Sequence, residues 1–471
     1  MDLPLYRSVA RRLSEGIKQA GLNPGARLPS VRTLAKQYNV SHLTAVQALQ
    51  SLESEGLIFA RPRSGYYVAT PELQGPKRRV KVIWPNPLPE LDPQARDHLA
   101  MVGAPCAARL DLAVGEPELY PVKRFNVILR RLAYQQPSLV SEHTRGMGNL
   151  GLRLTVAQQA LQYACELDPD ELVVTNGCVE ALNLALRAVT KPGDIIAVET
   201  PTYFALLQML RALELIPLPI PCAAPNGMDI EILRKKIKFV PIKAVVTIAN
   251  GNNPVGTVAS DENKRGLVRL LSDLNIPLIE DDIFGDVCFQ EGRPRPVKSF
   301  DRTGGVILCS GYSKSLCPGL RVGWVAGGKY AERIKLLKYT TSMATAELQQ
   351  AVVKEMLSSG SYTKHLRVLR RDLLGHQKML REWVLESFPK GTEISEPAGG
   401  FVLWVRLPQR DGMKVTSRAL FAPAREEGIG FAPGHLFGVT GEFDEYLRLN
   451  SGCRLTPMLQ SSVSRLGQLY I

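Results

Sequence analysis

The sequence predicts an α/β protein in which a small helical module precedes a long domain on a mainly parallel sheet. Three observations carry that reading. Residues 1–70 hold three helical apolar periods and then two short β runs around a Pro/Gly turn. From about Leu110 onward, helical patterns alternate with short apolar strands, the signature of strand–helix–strand units. Of the net charge of +13, residues 1–80 carry +7 (twelve Lys/Arg against five Asp/Glu) and all the rest only +6. An excess packed into the first module points to a polyanion partner there, although a merely solvated basic face reads the same way.

The bulk composition sets limits. With 471 residues, 45% apolar and 22% charged, the chain is long enough for more than one core and too apolar for wholesale disorder. Its eight cysteines (106, 165, 178, 222, 288, 309, 317 and 453) form no CxxC pair, so reduced thiols are expected rather than a metal or disulfide framework. The start, MDLPLYRSVARRL, has no apolar core of a signal peptide, and no run is long enough to span a membrane. A cytoplasmic protein without a resident metal is the expectation.

In the first module Leu5, Val9, Leu13 and Ile17 recur at spacing four, giving a helix from Leu5 to about Lys18 that Asn23-Pro24-Gly25 breaks. Ser30 caps a second helix to about Tyr38, burying Val31, Leu34 and Ala35. After a turn at Asn39, Ser41 caps a third helix to about Glu55 with a stripe of Ala45, Val46, Leu49 and Leu52, and Gly56 ends it. Residues 57–68 then read as two strands around the basic turn Arg61-Pro62-Arg63-Ser64-Gly65, a wing.

The segment LPSVRTLAKQYNVSHLTAVQALQSLESEGLIFARPRSGYYV resembles the GntR family of bacterial winged helix-turn-helix regulators almost throughout. The resemblance implies that the third helix reads double-stranded DNA, with Ser41, His42, Thr44 and Gln47 at base edges in the major groove. Arg32, Arg61 and Arg63 would contact phosphates, and Gly65 would let the wing approach closely. The family usually has Arg at His42; a neutral imidazole offers one donor, so the base preferred there differs.

Residues 71–95, with six prolines outside any helical period, read as a tether, and Lys77-Arg78-Arg79 adds a charge run that suits either DNA or solvent. Residues 96–471 form the large part. Strands are expected at Leu172–Thr175, Ile195–Glu199, Ala244–Ile248, Pro277–Glu280, Val306–Cys309 and Val322–Ala326. In such sheets chemistry gathers at the carboxyl ends of the strands. There the chain places Thr175-Asn176-Gly177-Cys178-Val179-Glu180 (a strand-to-helix turn able to hold an anion), Pro201-Thr202-Tyr203, Asn250-Gly251-Asn252-Asn253-Pro254-Val255-Gly256-Thr257, Glu280-Asp281-Asp282 and Tyr312-Ser313-Lys314-Ser315-Leu316-Cys317-Pro318-Gly319-Leu320-Arg321. No GxGxxG or GxxxxGKS segment occurs.

This set, over roughly residues 110–471, resembles the fold-type I, class I aminotransferases, which use pyridoxal 5'-phosphate; NNPVG and SK…PGLRVGW are its specific parts. Taken singly, Lys314 reads equally as a surface lysine, Asp281 as a cap and Tyr203 as a core edge. The resemblance implies that Lys314 forms the Schiff base with the cofactor, Asp281 pairs with the pyridine nitrogen, Asn253 bonds the ring 3-hydroxyl and Tyr203 stacks on the ring. Gly177, Cys178 and Val179, with Ser313 and Arg321, would hold the phosphate. In the small C-terminal domain, opened by the strand Gly399–Val405, Arg448 of Tyr446-Leu447-Arg448-Leu449-Asn450 would clamp a ligand carboxylate, with a plain salt bridge as the alternative.

Three departures bear on catalysis. Asp281 is followed by Phe284 where the enzymes keep a tyrosine that donates to the 3-hydroxyl. His143-Thr144-Arg145-Gly146-Met147-Gly148 lacks the tyrosine of a YGxPxG stretch, and Gly311 stands where a serine is frequent. These weaken the case for efficient turnover without removing cofactor binding. The whole order of modules resembles the MocR subgroup of GntR-family regulators. The resemblance implies a homodimer whose operator binding responds to an amino compound, or to pyridoxal phosphate itself, through an aldimine at Lys314. An active aminotransferase with an accessory DNA-binding module stays open as the alternative.

Overall fold

The computed structural model describes residues 5–19, 23–61, 64–69, 93–103, 106–142, 146–223, 226–410, 413–414 and 416–470. The chain divides into two compact units, Met1–Glu90 and Leu91–Ile471.

In the first unit the helices Leu5–Gln19, Val31–Gln37 and His42–Ser54 precede an antiparallel hairpin, Ile58–Arg61 with Gly65–Val68. Local chemistry sets each boundary. The hydroxyls of Ser30 and Ser41 accept from the backbone N–H of Thr33 and Thr44 at 3.2 and 3.1 Å, satisfying first-turn donors that have no partner inside the helix. Asn39 (φ 50°) turns the chain between the second and third helices. Val9, Leu13, Leu34, Ala48, Leu49, Leu52, Ile58 and Val68 form the core. The expected stripes need correction: Val46 is half-buried and Ala48 takes its place, while Val31 and Ala35 are half-buried beside a sealed Leu34. A seven-residue helix makes barely two turns, so little of its apolar face is fully covered.

The second unit is built on an eight-stranded sheet. Its order is Leu172–Thr175, Gly323–Ala326, Val306–Gly311, Leu278–Asp281, Ile242–Thr247, Ile195–Thr200, Ile216–Ala223, Gly227–Met228. The four strands from Val306–Gly311 to Ile195–Thr200 and the neighbouring Ile216–Ala223 run parallel, and Gly323–Ala326 runs antiparallel between its neighbours. All six expected strands occur, with bounds shifted by a residue or two. The strand Ile216–Ala223 escapes a propensity reading because Pro217, Pro219 and Pro221 interrupt it. It pairs along its length only with Ile195–Thr200, and the short Gly227–Met228 meets it at Cys222 and Ala223 alone, so its open side tolerates residues without an N–H. Helices such as Cys178–Val189 and Asp261–Asp273 cover the sheet, whose strands are apolar on both faces.

A second, four-stranded antiparallel sheet (Glu393–Ile394, Val402–Arg406, Tyr446–Asn450, Ala432–Pro433) packs with the helices Ser361–Ser387, Ser417–Glu426 and Pro457–Tyr470 around its own core. The helix Pro93–Gly103 opens the unit, so residues 93–95 are helical rather than part of the expected tether; the remainder of that stretch lies outside the described residues. Among the described residues no helix is long and apolar enough to cross a membrane, and no cluster of His, Cys, Asp and Glu is arranged to hold a metal ion.

Candidate functional site

The parallel strands deliver their following loops to one edge of the sheet, and a cleft of about 260 Å³ opens there. Of the residues expected at a cofactor site, Cys178, Val179, Tyr203, Asn253, Asp281, Ser313, Lys314, Arg321 and Arg448 all line it. They come from segments up to 270 residues apart in sequence.

One wall is the start of the helix Cys178–Val189. Its N-cap, Gly177, has φ +87°, a conformation that favours glycine, and a Cβ there would stand 2.5 Å from Arg321 Nη2. Arg321 is itself left-handed (φ 53°) and donates to Ser313 Oγ at 3.2 Å and to the carbonyl of Asn176 at 3.1 Å. Free backbone N–H groups, a helix dipole and a guanidinium thus face one spot, which suits an anion. Gly323 packs so closely on this turn that a Cβ would lie 2.6 Å from the Gly177 carbonyl carbon. Gly311 faces Gly323 Cα at 3.0 Å from its would-be Cβ, so the missing serine follows from strand spacing as well as chemistry.

Asp281 ends the strand Leu278–Asp281 and is 4% exposed. Its Oδ1 accepts from the Ile283 N–H at 3.2 Å and from Cys178 Sγ at 3.4 Å. Burial raises its carboxyl to about 6. Lys314 Nζ donates to the Ala113 carbonyl at 2.7 Å; burial, with Arg448 and Arg321 adding, lowers its ammonium to about 8 against the pull of Asp281. Arg448, 1% exposed, donates to Asn253 Oδ1 at 3.3 Å and to the Asp111 carbonyl, its Nε has no partner, and burial lowers it to about 10. None of Asp281, Lys314 and Arg448 has an ion pair within 4 Å among the described residues. Phe284 forms an apolar wall, with Lys314 Nζ 5.7 Å from its ring centre.

Sequence reasoning missed part of the lining. His98, Met101 and Val102 enter from Pro93–Gly103, and Asp111 to Val114 from the following loop. Asp92-Pro93 is a helix-start signal that the surrounding prolines obscured. A deeper support was also invisible: the buried Glu199 carboxylate accepts from Asn252 Nδ2 (2.8 Å), the Ile248 N–H (2.9 Å) and Thr247 Oγ1, bracing the loop that carries Asn253.

In the first unit, Arg32, Ser41, His42, Gln47, Arg61 and Gly65 are exposed, Thr44 is half-buried, and Arg63 lies outside the described residues. Arg61 is not a loose cation. Its guanidinium carbon sits 4.7 and 5.4 Å from the ring centres of Tyr67 and Phe59, which fixes the base of the wing. Gly65 has φ +105°, a backbone conformation that favours glycine.

Comparison with known proteins matches both units. Residues 5–68 fit the model for bacterial regulatory proteins of the gntR family, and residues 110–460 that for aminotransferase class I and II. The HTH-type transcriptional regulators YdcR and YjiR of Escherichia coli (strain K12) are each 33% identical, over 98% of this chain and 98% of their own. Kynurenine aminotransferase of Pyrococcus horikoshii, solved in complex with PMP, superposes with a TM-score of 0.73 at 26% identity, covering 81% of this chain and 94% of its own. The chain belongs to the MocR subgroup of the GntR family of bacterial transcription regulators, in which a winged helix-turn-helix reader is joined to an aminotransferase class I and II domain.

Proposed function

We propose that this regulator binds pyridoxal phosphate in the cleft of residues 91–471 and that an amino compound entering there changes its hold on operator DNA. The observation that carries the reading is the convergence of Asp281, Lys314 and Arg448 on one cleft, each without an ion pair among the described residues. Buried charge left uncompensated is expensive, and such groups gather where a ligand completes them. The residues fit the cofactor on three counts: an anion cradle, a carboxylate raised by burial yet ionised at neutral pH, and an amine whose neutral fraction burial increases.

When bound, pyridoxal phosphate supplies an aldehyde that condenses with primary amines and a ring that withdraws electrons. The turn at Gly177, Cys178 and Val179 would hold its phosphate together with Ser313 and Arg321. Asp281 would keep a proton on the pyridine nitrogen, Asn253 would meet the 3-hydroxyl, and Tyr203 would cover the ring face. Lys314 would hold the aldehyde carbon, and Arg448 would hold a ligand carboxylate. Phe284 cannot donate a hydrogen bond, so the ring is less finely tuned than where a tyrosine stands.

For occupancy to alter DNA binding, the ligand must prefer one arrangement of some movable element. The helix Pro93–Gly103 is placed for that role, since it lines the cleft and its chain continues through residues 70–92 to the reader. It is tied by Asp97 to His435 Nε2 (2.9 Å), by Gln94 to the His435 carbonyl (3.1 Å) and by Arg425, which donates to the Ala100 and Met101 carbonyls at 2.8 and 3.0 Å. A cytoplasmic homodimer on a two-half-site operator completes the reading, with Ser41, His42, Thr44 and Gln47 at base edges and Arg32, Arg61 and Arg63 on phosphates.

The test is a visible absorption band of the cofactor-loaded protein that Lys314→Ala abolishes, together with a retarded DNA fragment whose retardation changes on adding amino compounds. An unchanged spectrum in Lys314→Ala would refute the cofactor assignment. The intact lysine, aspartate and arginine also favour the second reading, a working aminotransferase; sustained oxo-acid formation without a specific DNA shift would select it.

A further inference from the structure

Once the residues assigned to the cofactor and to the carboxylate are set aside, the remaining wall of the cleft has one chemical character. Met101 and Val102 of Pro93–Gly103, Leu112, and Phe204 form it, with His98 set edge-on to Phe204 at 4.7 Å between ring centres. This wall flanks Arg448, whose guanidinium carbon lies 5.5 Å from the Phe204 ring centre and 5.3 Å from that of Phe437.

Among the described residues the ionisable groups of the cleft are all accounted for. Arg321, Lys314 and Asp281 face the cofactor position. Asp111 is held bidentately by Arg109, at 2.9 and 3.1 Å, with no exposed side-chain surface. His98 is half-buried against Phe204, and desolvation lowers its pKa, so it is neutral near pH 7. Among the described residues that line the cleft, no cation remains for a second acidic group and no free carboxylate remains for a basic one. Val102 lines the cleft yet is 48% exposed, an apolar surface that a ligand side chain would cover.

We infer that the effector is an α-amino acid with an uncharged, apolar side chain, seated between Arg448 and the wall of Met101, Val102, Leu112 and Phe204. The inference rests on the cleft being an amino-compound site, as proposed above. A dicarboxylic amino acid would bury its second carboxylate unpaired, and a basic one would lack a counter-charge. An aliphatic or aromatic side chain would remove apolar surface from water, which favours it by roughly tenfold or more.

The experiment uses the full-length protein loaded with pyridoxal phosphate. L-leucine, L-methionine, L-phenylalanine, L-glutamate and L-lysine are titrated separately while the visible spectrum is recorded. The apolar acids should give midpoints at least about tenfold lower than L-glutamate or L-lysine. Val102→Arg, at an exposed helix position that accepts a long side chain without unfolding, should narrow or invert the preference by supplying the missing cation. A protein that takes up no cofactor overturns both this inference and the reading beneath it. Uptake of the cofactor with L-glutamate or L-lysine as the better ligand overturns the apolar assignment alone. An unchanged ranking in Val102→Arg overturns the placement of the side chain against Pro93–Gly103.

Discussion

Gly177 and Gly193 share a φ of +87°, and that coincidence allows the anion cradle to be tested with an internal control. Alanine at either position meets a positive φ; at Gly177, where ψ is 171°, the conformation is one that glycine alone adopts readily, and the strain costs about 1–3 kcal/mol of folding stability. Around Gly193 nothing lies within 4 Å of a new Cβ, whereas at Gly177 it would stand 2.5 Å from Arg321 Nη2 and 3.0 Å from its Cζ. The clash is with the end of a flexible side chain, so the fold yields cheaply and the effect falls on what that guanidinium holds. On the proposed assignment, displacing Arg321 from Ser313 Oγ and the Asn176 carbonyl would remove one charged hydrogen bond to the phosphate, worth about 1.5–3 kcal/mol. That corresponds to a factor of roughly 10 to 150 in affinity. Urea unfolding of the cofactor-free proteins and equilibrium titration with pyridoxal phosphate, followed in the visible, measure the two effects separately. Both variants should fold less stably, whatever the size of each loss, and Gly177→Ala alone should bind the cofactor about 10- to 150-fold more weakly. Equal cofactor affinity in the two variants would refute the role given to Gly177 and Arg321.

Further outcomes follow from the same geometry. Burial holds the Asp281 carboxyl at about 6, above its unfolded value, so its contribution is fully present below the unfolded pKa and is lost as pH rises through about 6. Cofactor-free Asp281→Asn should therefore be more stable than the parent near pH 7.5, by up to about 3 kcal/mol, with the gap narrowing below about pH 6 and closing toward about pH 4; a pH-independent difference in unfolding midpoints would contradict this. Arg448→Met should leave cofactor uptake intact while weakening the spectral response to amino acids by roughly tenfold or more, and an undiminished response would remove Arg448 from the ligand site. Ser41→Ala should lower the reader's stability by about 1 kcal/mol through loss of the helix cap, read by urea unfolding. Arg61→Ala should weaken DNA binding about equally across sequences and flatten the salt dependence by close to one charge; a sequence-selective loss would make Arg61 a base reader instead.

Legibility in the sequence followed how local the governing chemistry was. Ser30, Asn39, Ser41 and Gly56 mark boundaries through their own caps and turns, and the helix ends lie within a residue or two of them. The cofactor part of the cleft was legible because most of its groups lie at or after the end of a strand, where sheet topology gathers them; Arg448, inside the strand Tyr446–Asn450, is the exception. What escaped depends on partners far away in sequence. Three prolines conceal a strand that is tolerated because one side stays open. Asp111 looks like a free carboxylate until Arg109 is seen closing on it. His98, Met101 and Val102 sit in a helix beside a proline-rich stretch, and their position in the cleft comes from the contacts of Asp97, Gln94 and Arg425 with distant residues.

Those contacts bear on how a domain with this cleft can serve a regulator. Arg425 donates to the carbonyls of Ala100 and Met101, in the last turn of Pro93–Gly103, where helical acceptors have no intrahelical partner and the dipole favours a cation. The same turn presents Met101 and Val102 to the cleft, so a ligand side chain and the Arg425 clamp act on one short stretch of backbone. Arg425→Ala releases that clamp without touching any group assigned to the cofactor. It should preserve the visible band and cofactor affinity while reducing the change in DNA retardation that an amino acid produces. If the DNA response survived at full size, occupancy would be transmitted through another element, and the small domain carrying Arg448 would be the next to examine. Loss of the visible band itself would show that the clamp supports the cofactor site as a whole. A sensor needs only this kind of differential contact, whereas a catalyst needs the finer ring tuning that Phe284 does not provide.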